Sequence, residues 1–82
     1  MGTVLRIGAL RVVMHSRDHW PPHVHVIGPD GEARIALGRL VPQPYVMSCH
    51  GLSDKQVATA MAEITHNREQ LKQMWRTIHG VG

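Results

Sequence analysis

The stretch His23-Val24-His25-Val26-Ile27-Gly28-Pro29-Asp30-Gly31-Glu32-Ala33-Arg34-Ile35-Ala36-Leu37 decides the fold. Gly28-Pro29-Asp30-Gly31 is a turn signature: Pro presets φ, and Asp and Gly tolerate the backbone angles of a chain reversal. The flanks, His23–Ile27 and Glu32–Leu37, alternate in the two-residue period of a half-buried strand. A four-residue loop between them puts Val24 opposite Ile35 and His25 opposite Arg34. Val24, Val26, Ile35 and Leu37 then point to a core, while His23, His25 and Arg34 occupy the opposite face.

Working toward the N-terminus, Thr3–Ile7 and Leu10–His15 read as a second hairpin around Gly8-Ala9, the two-residue turn type with Gly first. Leu5 pairs with Val12 and Ile7 with Leu10 in this register. Leu5, Ile7, Leu10, Val12 and Met14 share the core face, and Arg6, Arg11, Val13 and His15 the other. The two hairpins together place Arg6, Arg11, His15, His23, His25 and Arg34 on one side of a single sheet.

Toward the C-terminus, Gly38–Gly51, punctuated by Pro42 and Pro44, reads as a loop with a short extended piece at Tyr45–Ser48. Ser53 with Gln56 three residues on forms a capping box, and Asp54 suits the positive end of a helix dipole. Val57, Met61, Ile64, Leu71, Trp75 and Ile78 recur at helical steps, with Arg68 the one polar member of the stripe. Gly80 ends the pattern. Either one helix of about seven turns or two helices broken near Asn67 fits. The expected fold is α+β: a small antiparallel sheet of about four strands in two hairpins, with a C-terminal helix or helix pair packed on one face. The stripe is expected against Leu5, Val12, Val24 and Ile35, with Trp75 buried; any part left uncovered would serve an oligomer or partner interface.

Length and composition bound the function. The chain has 82 residues, one small domain spanning 1–82, which buries only about 60% of its unfolded surface. A Rossmann unit or a two-lobed enzyme is excluded. Hydrophobic residues at 43% are too many for a disordered tail. No apolar run approaches a membrane span, Met1–Gly8 lacks a signal-peptide layout, and Arg6 stands where a myristoylation signal wants Ser or Thr. The single Cys49 allows no internal disulfide, so the expected location is the cytoplasm. Nine basic residues face six acidic ones, and seven of the nine are Arg, the side chain for bidentate phosphate recognition. They are scattered, which argues against a nucleic-acid-binding tail. Only three aromatics, Trp20, Tyr45 and Trp75, leave no base-stacking platform.

Histidine is the anomaly: there are seven, five of them between His15 and His50. In Asp18-His19-Trp20-Pro21-Pro22-His23-Val24-His25-Val26, the rings of His23 and His25 project to the same face of a strand, roughly 6.5–7 Å apart at Cα. The Pro pair stiffens the approach from His19. His19, His23 and His25 are therefore candidate ligands for a divalent transition metal such as zinc, with Asp18, His15, Cys49 or His50 available as a fourth. Without metal, His19, His23 and His25 suit acid–base chemistry on a phosphodiester, with Asp18 orienting one imidazole. Arg6, Arg11 and Arg34 would bind phosphate and stabilise its developing charge. An ordinary structural role competes with both, the histidines pairing with Glu32 or Arg34 on a polar sheet face. Cys49-His50 is no catalytic pair, because neighbours on a strand face opposite ways.

Several of these segments resemble a bacterial family of domains of unknown function, number 4160. They are Thr3-Val4-Leu5-Arg6-Ile7-Gly8, Ser16-x-Asp18-His19-x-Pro21-Pro22-His23-Val24-His25-Val26, Gly31-Glu32-Ala33, Gly51-Leu52-Ser53, Asn67-Arg68 and Trp75. The resemblance implies a compact α+β domain of about this length. It also implies a small cognate partner, in an arrangement that suggests a toxin–antitoxin pair. Where the family tends to carry aromatics, this chain has Val12-Val13 and Arg34-Ile35-Ala36, a more aliphatic core. The expected function is a component of such a module, the toxin acting on RNA or another phosphate substrate. The alternative is a noncatalytic protein- or metal-binding module with structural histidines. Whether the chain is an enzyme stays open at this level.

Overall fold

The computed structural model describes residues 3–38 and 43–80. Five strands, β1 (Thr3–Ile7), β2 (Leu10–Val13), β3 (His23–Ile27), β4 (Glu32–Ala36) and β5 (Tyr45–His50), precede two helices, α1 (Asp54–His66) and α2 (Arg68–His79). The strands pair in sequence order, each antiparallel to the next, as one meander. No helix among the described residues is long and apolar enough to cross a membrane.

Both hairpins have the registers that their turns dictate. Leu5 faces Val12 and Ile7 faces Leu10; Val24 faces Ile35 and His25 faces Arg34. Gly8 takes φ 59°, which glycine at the first turn position allows without a Cβ clash. The β2–β3 pairing then sets Val12 against Val26 and Val13 against His25. Val12, Val24 and Ile35 thus lie on one face, and His25 and Arg34 on the other.

The sheet has five strands rather than about four. The short extended piece expected at Tyr45–Ser48 runs on to His50 and pairs along the outer edge of β4. Its signal is weak because the pairing skips: Arg34 faces Ser48 but Ile35 faces Val46, leaving Met47 as the extra residue of a bulge. An edge strand also needs to bury little, and Tyr45 and Val46 stay exposed. Residues 39–42, including Arg39 and Pro42 of the expected loop, lie outside the described residues.

The core forms where α1 and α2 cover the apolar face. Val12, Met14, Val24, Val26, Ile35 and Leu37 are fully buried with Ala60, Ile64 and Trp75, and Leu5 packs against this cluster. Ser53 and Gln56 make the capping box: the Gln56 N–H donates to Ser53 Oγ at 3.1 Å, and the Ser53 N–H donates to Gln56 Oε1 at 2.8 Å. Of the two helical possibilities, the chain adopts the broken one. Asn67 leaves helical geometry with φ −103° and ψ 16°, and its Nδ2 donates to the Glu63 carbonyl. Arg68, the polar member of the stripe, explains itself here. Its Nε and one Nη donate to the carbonyls of Leu37 and Gly38 at 2.7 Å each, tying α2 to the end of β4. Gly80 closes α2 in the left-handed conformation.

Candidate functional site

The face opposite the helices should be wet, yet His23 and His25 are buried on it. The segment between β2 and β3 turns back over them. The Asp18 N–H closes a turn on the His15 carbonyl at 3.4 Å, and this reversal aims the Asp18 carboxylate inward. Asp18 Oδ2 lies 2.9 Å from His25 Nε2 and 3.4 Å from His23 Nε2. The His15 ring packs edge-on against that of His25, with centroids 4.5 Å apart. His19, next in the chain to Asp18, is exposed and stands outside this group.

The remaining ring nitrogens are also engaged. His23 Nδ1 is 2.8 Å from the Pro21 carbonyl, which only accepts, so this nitrogen carries the proton. The Trp20–Pro21 peptide bond is cis. His25 Nδ1 lies 3.4 Å from Glu32 Oε2. Trp75, reaching from α2, sets its indole 5.5 Å from the His23 ring. It stacks on His79 at 3.6 Å and meets Trp20 edge-on at 6.3 Å.

A carboxylate only accepts hydrogen bonds, and a neutral imidazole carries one N–H. With the His23 proton on Nδ1, its Nε2 lone pair faces Asp18. His25 has a carboxylate oxygen at each nitrogen and one proton to share between them. Neutral rings therefore leave two nitrogen lone pairs aimed at carboxylate oxygens. A cation held between the two Nε2 atoms and the Asp18 carboxylate would relieve both, so the cluster has the donors to hold one.

The arginines expected to bind phosphate share the sheet face but not the cluster. Arg6 and Arg11 sit directly opposite each other on β1 and β2, both exposed. Arg34 is beside His25 across the β3–β4 ladder, and its Nε donates to Ser48 Oγ at 3.0 Å. Arg11 donates to Thr3 Oγ1 at 3.4 Å. Cys49 and His50 are both exposed on β5, where they pair with Ala33 and Glu32 of β4.

Sequence reasoning did not find two contributors. The Pro21 carbonyl has no side-chain signal at all. Trp75 read as a core residue, which it is, but nothing in the chain connects it to His23 before the helix folds across.

A five-stranded antiparallel meander under two helices, with Asp18 set against two buried histidines beneath the β2–β3 connection, defines a small α+β domain with a concentrated polar centre. The chain matches the family described as Domain of unknown function (DUF4160) over residues 10–76, and it belongs to that family. The matched span takes in the whole Asp18–His25 segment and runs on to Arg76. No curated protein and no solved structure matches the chain.

Proposed function

We propose that this protein is the toxin-like member of a cytoplasmic two-component module, acting on RNA or another phosphate substrate at the Asp18–His23–His25 group. One observation carries the reading. Two imidazole Nε2 atoms converge on a single carboxylate oxygen, on the same sheet face as the exposed Arg6, Arg11 and Arg34. Phosphoryl chemistry needs a group that manages a proton or activates water, and cationic side chains that stabilise charge on the phosphoryl oxygens. Asp18 orients His25, Pro21 and Trp75 hold His23, and the arginines supply the positive field. His19 has no part in the centre.

The partner is a small antitoxin-like protein. Exposed Tyr45 and Val46 on the outermost strand favour a second reading, a noncatalytic module that docks another chain along that edge. Expression without the partner separates the two. Wild type should slow growth and degrade RNA, and His25→Gln at equal soluble level should do neither. Toxicity that persists in His25→Gln rules out chemistry at this cluster. Harmless expression of both proteins favours the docking module.

A further inference from the structure

We infer that Asp18, His23 and His25 form a three-ligand site for a divalent first-row transition-metal ion, zinc foremost. The inference deepens the functional reading of the same cluster by naming its cofactor, and it is tested without reference to toxicity. The three ligand atoms all lie within 4.8 Å of one another. A tetrahedral ion with bonds of about 2.1 Å separates its ligands by about 3.4 Å. The separation of His23 Nε2 from Asp18 Oδ2 is 3.4 Å, and that of His25 Nε2 from the same oxygen is 2.9 Å. Small side-chain rotations admit the ion.

The far side of each ring points to the same ion independently. A histidine that ligates through Nε2 donates its Nδ1–H to a carbonyl or carboxylate, which fixes the tautomer and strengthens the ligand. Both rings have such an acceptor in place: the Pro21 carbonyl at 2.8 Å from His23 Nδ1, and Glu32 Oε2 at 3.4 Å from His25 Nδ1. An ion bound at the two Nε2 atoms frees the His25 proton for Nδ1 and turns both mismatched lone pairs into ligand bonds. All four nitrogens are then satisfied.

The donor set also selects the metal. Two imidazoles and one carboxylate suit zinc, iron, nickel or cobalt better than magnesium or calcium, which prefer oxygen. Three protein ligands leave coordination positions for water or a phosphate oxygen, the arrangement of reactive rather than purely structural zinc sites. Burial of His23 and His25 keeps the site from being a loose surface chelate.

The experiment is titration of purified protein with Zn²⁺ by calorimetry and with Cu²⁺ by electron paramagnetic resonance. The expected result is one equivalent bound, with hyperfine coupling to two nitrogens. Asp18→Asn should abolish stoichiometric binding, and His23→Gln should reduce the coupling to one nitrogen. Glu32→Gln should weaken affinity by about 10- to 100-fold, and His19→Ala should change nothing. Circular dichroism confirms that each variant is folded, and Glu32→Gln, altered at an exposed residue, carries the test if a ligand variant is not. Absence of binding by the wild type, or binding that follows His19 and ignores Asp18, overturns the inference. Metal binding by a protein harmless to cells leaves the inference standing and removes the toxin reading. Toxicity in a protein that binds no metal does the reverse.

Discussion

The Trp75 indole and the His23 imidazole lie 5.5 Å apart, so a residue buried in the helix-covered core is also part of the wall of the histidine cluster. Stability of the helical layer and order at the site are therefore coupled through one side chain. Trp75→Ala should cost roughly 3–5 kcal/mol in chemical denaturation, the scale for deleting a buried aromatic. It should also loosen His23, visible as lost chemical-shift dispersion of that ring. Loss of stability with an unchanged His23 resonance would separate the core from the site.

The two tryptophans should report different environments. Trp75 is 1% exposed and Trp20 51%. A Trp20→Phe variant should keep a blue-shifted emission that acrylamide barely quenches, whereas Trp75→Phe should leave a readily quenched signal. Ready quenching in Trp20→Phe would place Trp75 outside the core.

Arg68 works as a structural clamp rather than a phosphate ligand. Its two bonds to the Leu37 and Gly38 carbonyls are charge-assisted and use the planar fork of guanidinium. Arg68→Lys should lose the paired geometry and destabilise by about 1.5–3 kcal/mol. An equal midpoint in urea for Arg68→Lys and wild type would show the clamp to be dispensable.

Gly31 is needed for space. A Cβ there would lie 2.0 Å from the His50 carbonyl oxygen and 2.6 Å from the Gly51 carbonyl carbon, both backbone atoms that cannot swing aside. Gly31→Ala should therefore cost about 2 kcal/mol or more by forcing the β3–β4 turn away from the end of β5. Thermal melts compare it with Gly8→Ala: Gly8 has nothing near its Cβ position, and strain at φ 59° is the whole penalty.

The exposed arginines should be separable from folding. Arg34→Gln, and an Arg6→Gln/Arg11→Gln pair, should each change stability by no more than about 0.5 kcal/mol per site. If they contact phosphate as proposed, their effect belongs in the salt dependence of binding to a single-stranded oligonucleotide, where each lost phosphate contact lowers the slope by about 0.7. An unaltered slope would exclude these residues from phosphate contact.

Local chemistry explains what could be read from the chain alone. The registers of both hairpins follow from Gly8-Ala9 and Gly28-Pro29-Asp30-Gly31, because a short turn leaves its flanking strands one way to pair. The start of α1 at Ser53 and the end of α2 at Gly80 follow from capping, which involves only the first or last turn. The shared face of Arg6, Arg11, His25 and Arg34 is a consequence of those registers and the two-residue period. That Asp18 rather than His19 joins His23 and His25 was not legible in this way. Asp18 and His19 are neighbours in a connection without periodicity, and either could turn inward; the reversal closed between His15 and Asp18 selects the carboxylate. The fifth strand depended on an edge of β4 that exists only once the sheet has formed. The contacts of Trp75 with His23 and of Arg68 with Leu37 join residues distant in the chain, and only the packing of α2 against the end of the sheet brings them together.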